Sequence, residues 1–197
     1  MAIFVPMRSL VYILCASVLL FAACLQTGAR EIRTGALFSP DGLGMSLQFD
    51  NDWGDEIRCV NIYADMYGVY SGRTSEAGFV ASYTHSYILK VYDFEYSRLS
   101  MYAGAGFLGG YVHDYESGMF STTDRTLRNG RGLVAALACD LGFAFDFDRR
   151  VTVDLSLCLA PGLHFRRDAD SGTTIISAYR RGFISALLPR LCIYYRF

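Results

Sequence analysis

Between residues 133 and 147 the chain alternates with a period of two. Leu133, Ala135, Leu137, Cys139, Leu141, Phe143, Phe145 and Phe147 share one phase; Ala136, Ala138, Asp140, Gly142, Ala144 and Asp146 share the other. Residues 151–165 repeat the pattern. Val151, Val153, Leu155, Leu157, Leu159, Pro161, Leu163 and Phe165 oppose Thr152, Asp154, Ser156, Cys158, Ala160, Gly162 and His164. Successive side chains of a strand point to opposite faces, so both segments are strands with one apolar face. The three residues Asp148, Arg149 and Arg150 form a hairpin loop that keeps the two apolar faces on one side.

The pattern recurs less cleanly elsewhere. Leu43, Met45, Leu47 and Phe49 alternate with Gly44, Ser46, Gln48 and Asp50; Val60, Ile62 and Ala64 alternate with Cys59, Asn61, Tyr63 and Asp65. A change of phase near Val91 to Asp93 predicts a β-bulge. Eight strands follow, near 32–39, 43–50, 56–70, 78–96, 99–115, 132–147, 151–165 and 183–197. Connections at 51–55, 97–98 and 148–150 are short, whereas 71–77, 116–131 and 166–182 are longer and polar. Short turns alternating with long loops are the layout of outer-membrane barrels, with the short turns periplasmic. The turn at 39–42 is unusually short for an external one.

Composition sharpens this picture. The chain is 52% hydrophobic, yet no apolar run approaches the about 20 residues of a membrane helix. Residues 1–29 carry Arg8 ahead of an apolar stretch from Leu10 to Cys24, the layout of a secretory signal, with cleavage favoured after Ala29. Acylation at Cys24 and an uncleaved anchor are the competing readings of that segment. The domain plan is thus 1–29 as a signal peptide and 30–197 as the barrel. Lys+Arg is 18 against Asp+Glu 19, which gives no electrostatic case for nucleic-acid binding.

Period two alone does not separate a lipid-facing barrel from a soluble β-barrel with its apolar face inside and an apolar ligand bound there. Three features favour lipid. The polar face is rich in Gly, Ala and Ser, and the chain has one lysine, Lys90, which suits a narrow lumen better than a solvated surface. Aromatic residues cluster near strand ends. Tyr92, Phe94, Tyr96, Phe143, Phe145, Phe147, Tyr194 and Tyr195 are placed at one interface, and Tyr67, Tyr70, Tyr83, Tyr111, Phe165 and Tyr179 at the other. The strands are also long for a soluble domain. Cys59, Cys139, Cys158 and Cys192 match no metal or redox spacing, and read as small apolar filling.

The C-terminus alternates through Leu191, Ile193 and Tyr195 to a final Phe197. This ending resembles the insertion signal of outer-membrane β-barrel proteins, which implies the barrel-assembly machinery as a partner. With the leader and eight strands, the chain resembles the small-barrel group that includes the outer-membrane protein A transmembrane domain. The phrases Tyr-Ala-Gly-Ala-Gly-Phe at 102–107 and Gly-Tyr-Val-His-Asp at 110–114, with the Tyr-Tyr-Arg-Phe ending, resemble the small barrels of Bacteroidetes-type bacteria. The resemblance implies an all-β, eight-stranded, antiparallel up-and-down transmembrane barrel, monomeric, in the outer membrane, with lipid and lipopolysaccharide around it. Pro161 and Pro189 depart from the pattern, since each removes a ladder hydrogen bond unless it sits at a bulge or rim.

The inward face is expected to gather Arg58, Asp65, Asp140, Asp146, Asp154, His164, Arg190 and Arg196 as a network of arginine–carboxylate pairs. A narrow ion or solute path is the sharper alternative. The arginines of two long loops, Arg125, Arg128 and Arg131 with Arg166, Arg167, Arg180 and Arg181, are candidates for lipopolysaccharide phosphates. No cofactor, metal site or catalytic group is assigned. A lipid A-modifying enzyme is the alternative, but His85-Ser86 and His113-Asp114 are adjacent pairs that a regular strand splits between faces.

Overall fold

The computed structural model describes residues 31–50, 54–72, 74–113, 131–147, 150–167 and 174–196. Ten strand segments make one antiparallel sheet: β1 (Glu31–Ser39), β2 (Gly42–Asp50), β3 (Glu56–Asp65), β4 (Gly78–Asp93), β5 (Ser97–Val112), β6 (Gly132–Phe147), β7 (Val151–Leu159), β8 (Gly162–Arg167), β9 (Thr174–Ala178) and β10 (Arg190–Arg196). Each of β1 to β5 pairs with the next. β6 then pairs with both β7 and β8, β8 with β9, and β7 with β10. β10 returns to β1, from Arg33↔Arg196 to Phe38↔Leu191, and closes the ring. Segments β7 and β8 are two halves of the seventh stave, and β9 and β10 two halves of the eighth. The result is an eight-stave, closed, up-and-down barrel.

The two prolines mark where the last staves break. Pro161 lies between β7 and β8, and Pro189 directly precedes β10. A proline has no N–H for the ladder, so each sits where pairing is interrupted. The Pro161 carbonyl still accepts from the Leu137 N–H at 3.0 Å. Between β9 and β10 the chain detours through a helical turn and a 3₁₀ turn (Ser185–Leu187). That helical turn, Arg181–Ile184, is α2 in chain order, after α1 (Tyr67–Tyr70). Ala160 N–H donates to Gly182 O at 2.9 Å and Tyr179 N–H to Gly162 O at 2.8 Å, which stitch the detour to the seventh stave. The expected unbroken strand 183–197 is therefore replaced by an insertion and the shorter β10.

Other boundaries differ by smaller amounts. The third strand stops at Asp65 and is followed by α1, so the expected extension to 70 does not form. The register slips between Ile88 and Lys90, so the bulge falls a little before Val91. The β4–β5 turn falls at 94–96, where Phe94 N–H donates to Ser97 O at 2.8 Å, rather than at 97–98. β5 ends at Val112, short of 115.

Alternation deals the two faces as the sequence implies. On β6 the odd positions are exposed and the even ones mostly buried, from Leu137 at 53% exposure to Ala138 at 0%. Met45, Phe107, Leu133, Leu157, Ile193 and Tyr195 continue the exposed apolar wall around the ring. The buried interior holds Ser46, Asn61, Ser82, Thr84, Ser100, Thr152 and Ser156 beside charged groups. Toward the mouth formed by the β1–β2 and β3–β4 turns an apolar cluster of Leu37, Val80, Val112, Val134 and Tyr179 packs together beside buried polar groups. Two expected interface aromatics thus sit inside: Tyr179 and Tyr194 are both buried.

Candidate functional site in the barrel lumen

Three buried or half-buried arginines, each held by carboxylates, organise the lumen. At the short-turn end, Arg33 points inward from β1. Its Nη2 lies 2.9 Å from Asp50 Oδ2, and its Nη1 2.9 Å from Asp146 Oδ1 and 2.9 Å from Thr152 Oγ1. The Thr152 hydroxyl also donates to Asp146. One guanidinium thus ties together four staves, which its planar, multi-donor fork allows.

Further along the lumen, Arg190 Nη2 lies 2.7 Å from Asp140 Oδ1, with both side chains buried. Asp154 accepts from the Tyr102 hydroxyl at 2.7 Å. A neutral network runs beside them: the Ser46 hydroxyl donates to Asn61 Oδ1 at 2.6 Å, Asn61 Nδ2 donates to Ser82 Oγ at 3.3 Å, and Ser46 Oγ and Tyr194 OH are 2.7 Å apart. Small hydroxyl residues fit here because the lumen of an eight-stranded barrel is just wide enough for side chains to fill.

At the other mouth, α2 turns Arg181 into the barrel. Its Nη1 donates to Asp65 Oδ2 at 2.8 Å, its Nη2 donates to Asp65 Oδ1, and its Nε donates to Asp41 Oδ1 at 2.9 Å. The guanidinium also lies 4.5 Å from the Tyr67 ring centroid. Burial pushes the Asp41 carboxyl above its ordinary range, and Arg181 pulls it part of the way back. Ser39 fixes the Asp41 turn by accepting from the backbone N–H groups of Asp41 and Gly42 at 3.1 and 3.2 Å. The neighbouring His164 is buried, its ring edge-on to Tyr179 at 6.5 Å between centroids.

Of the residues expected inside, Asp65, Asp140, Asp146, Asp154, His164 and Arg190 are there. Arg196 is in the inward phase beside Arg33 in the register. Arg58 is a correction. It shares its phase with Val60 and Ile62 and lies on the outer wall, 3.3 Å from Glu56 Oε2. Arg181 is a second correction, buried in the mouth rather than displayed on a loop. Of the other loop arginines, Arg125 and Arg128 lie outside the described residues. Arg131 meets Glu76 at 3.2 Å, and the same carboxylate is 3.0 Å from His113 Nδ1. Arg166 donates to Ser177 Oγ at 3.1 Å, and Arg167 and Arg180 are exposed. Leu191, Ile193 and Tyr195 take the outward phase, and Phe197 lies outside the described residues. Sequence reasoning missed Arg33, Asp50, Asp41, Tyr102 and Tyr194. His85 points outward and Ser86 is buried inside, so the pair is split between faces. Among the described residues no group of His, Cys, Asp and Glu is placed to hold a metal ion.

Set against solved structures, the chain is similar to the N-terminal β-barrel domain of OprF from Pseudomonas aeruginosa, with 12% identity and a TM-score of 0.44 over 87% of this chain and 100% of that one. It is also similar to a major outer membrane protein from Thermus thermophilus, with 16% identity and a TM-score of 0.41 over 85% of this chain and 98% of that one. No family model matches the chain, and no curated protein matches it. The barrel class itself rests on the closed ladder described above.

Proposed function

We propose that this protein is an integral outer-membrane β-barrel of structural or surface-interaction type, with a side-chain-filled polar lumen and outward-facing loops. One observation carries the reading: the exposed wall of the closed sheet is apolar around the ring, while most strand carboxylates and arginines face inward. In water that arrangement would leave a large apolar surface wet; in lipid it buries it. A soluble barrel binding an apolar ligand would need the opposite facing. Exposed Tyr92, Phe94, Tyr96, Phe143, Phe145, Phe147 and Tyr195 near the short-turn rim support an interfacial girdle there.

In this reading the lumen is passive. Arg33, Arg190 and Arg181 cross-link staves that are not neighbours, and the apolar cluster around Leu37 and Val80 fills the rest. Export through residues 1–29, a periplasmic C-terminus and assembly as a monomer complete the proposal. Cell fractionation followed by gel electrophoresis with and without boiling tests it. The protein should fractionate with outer membranes and migrate differently when unboiled. Release as a soluble protein overturns the reading.

A further inference from the structure

The outer wall of β3 and β4 carries charge where the surrounding wall is apolar. Arg58 and His85 are direct cross-strand partners on that wall. Their side chains are 51% and 31% exposed. Glu56 Oε2 stands near both, 3.3 Å from Arg58 Nη2 and 3.2 Å from His85 Nε2. His85 stacks on Tyr87, with centroids 5.0 Å apart. Along the same strand, Lys90 Nζ lies 4.8 Å over the Tyr92 ring. The wall here therefore sets one carboxylate, Glu56, between an arginine and a histidine, with Lys90 farther along β4. Arg58 spends one of its donor nitrogens on Glu56, and its side chain is otherwise open to the surroundings of the wall.

A charge on the lipid face is costly at mid-membrane and tolerated near the interface, where lipid phosphates lie. Glu56 is the first residue of β3, so the patch sits at the short-turn rim. An exposed arginine fork flanked by an exposed tyrosine, Tyr87, matches a phosphodiester and the top of its acyl chains. We propose that Arg58, standing beside the Glu56–His85 pair, binds the phosphate of an anionic glycerophospholipid against this wall. The proposal rests on the membrane reading above. Its choice of lipid follows from the short-turn end, which that reading places in the periplasmic leaflet.

The test uses the full chain folded into phosphatidylcholine vesicles doped with phosphatidylglycerol or with lipopolysaccharide, then released in mild detergent for native mass spectrometry. Wild type should retain phosphatidylglycerol over phosphatidylcholine by about tenfold, the scale of one charge-assisted contact. R58Q should bring that preference close to parity, whereas K90Q, farther along β4, should leave most of it. Unboiled gel migration of the same samples reports whether the barrel formed. An inserted barrel with no preference, or one whose preference survives R58Q, overturns the lipid site alone. Retention of lipopolysaccharide ahead of phosphatidylglycerol overturns the choice of lipid. A chain that never inserts overturns the membrane reading instead.

Discussion

Arg190 of β10 and Asp140 of β6 meet at 2.7 Å inside the barrel, although their staves are separated by β7. Both are buried, so each removes the other's uncompensated charge. Breaking a buried pair from one side typically costs about 3–5 kcal/mol, whereas replacing both partners with apolar residues can be close to neutral. Arg190→Met and Asp140→Leu should each lower unfolding stability in urea by about that amount. The double variant R190M/D140L should recover most of the loss. Additive losses would mean that the two groups act independently.

Arg33 makes more contacts than either. Replacing it with Gln removes the charge facing Asp50 and Asp146 while leaving some hydrogen bonding. Charge-assisted hydrogen bonds contribute about 1.5–3 kcal/mol each, but the group is partly wet, so a net loss of about 2 kcal/mol is expected. Urea unfolding in detergent or vesicles reads it, and unchanged stability would remove Arg33 as the clamp of the short-turn end.

Asp41 gives the mouth a pH signature. Its carboxyl is harder to ionise in the folded protein than in the unfolded chain. Its contribution is therefore most favourable below the unfolded pKa and is lost as pH rises through the higher folded value. Asp41→Asn should flatten that part of the stability profile just above the ordinary aspartate range. Asp65→Asn should cost more at neutral pH, because Asp65 accepts two hydrogen bonds from Arg181 where Asp41 accepts one. Parallel pH profiles for wild type and Asp41→Asn would contradict the assignment.

Glycines of β5 set how closely its neighbour approaches. A Cβ at Gly106 would lie 1.8 Å from the Tyr83 carbonyl oxygen and 2.7 Å from Thr84 Cα, both backbone atoms. At Gly109, facing outward, the nearest atom is 3.7 Å away. Gly106→Ala should strain the β4–β5 ladder by roughly 2 kcal/mol or more, on the scale of overpacking. Gly109→Ala should be near neutral. Yields of heat-modifiable, folded protein compare the two directly.

Much of the fold is legible in the sequence, because period two survives wherever both faces are consistent. β6 and β7 are the clearest case, and parity separates Cys139 from Cys158: the first is exposed, the second buried. Arg58 shows the opposite failure. Its phase with Val60 already puts it outside, and only its charge suggests the lumen. Tyr194 suggests an interface by being aromatic, although it shares its phase with Cys192 and its hydroxyl finds Ser46 inside. Arg33 is hidden by Leu37, an apolar residue on the same inward phase. Asp41 and Arg181 come together only because an insertion after β9 folds back into the mouth. No local period encodes that return, though Pro189 signals the break.

Cys139 offers the most direct test of the central claim that the exposed wall lies in lipid. It is exposed on β6 between Leu137 and Leu141, whereas Cys158 and Cys192 are buried and Cys59 is half-buried in the inward phase. A fluorophore placed on Cys139 in a Cys59→Ser background, with the barrel reconstituted into vesicles, should be quenched by lipids brominated along their acyl chains and shielded from aqueous quenchers. Efficient quenching from water, with no effect of brominated lipid, would contradict the account.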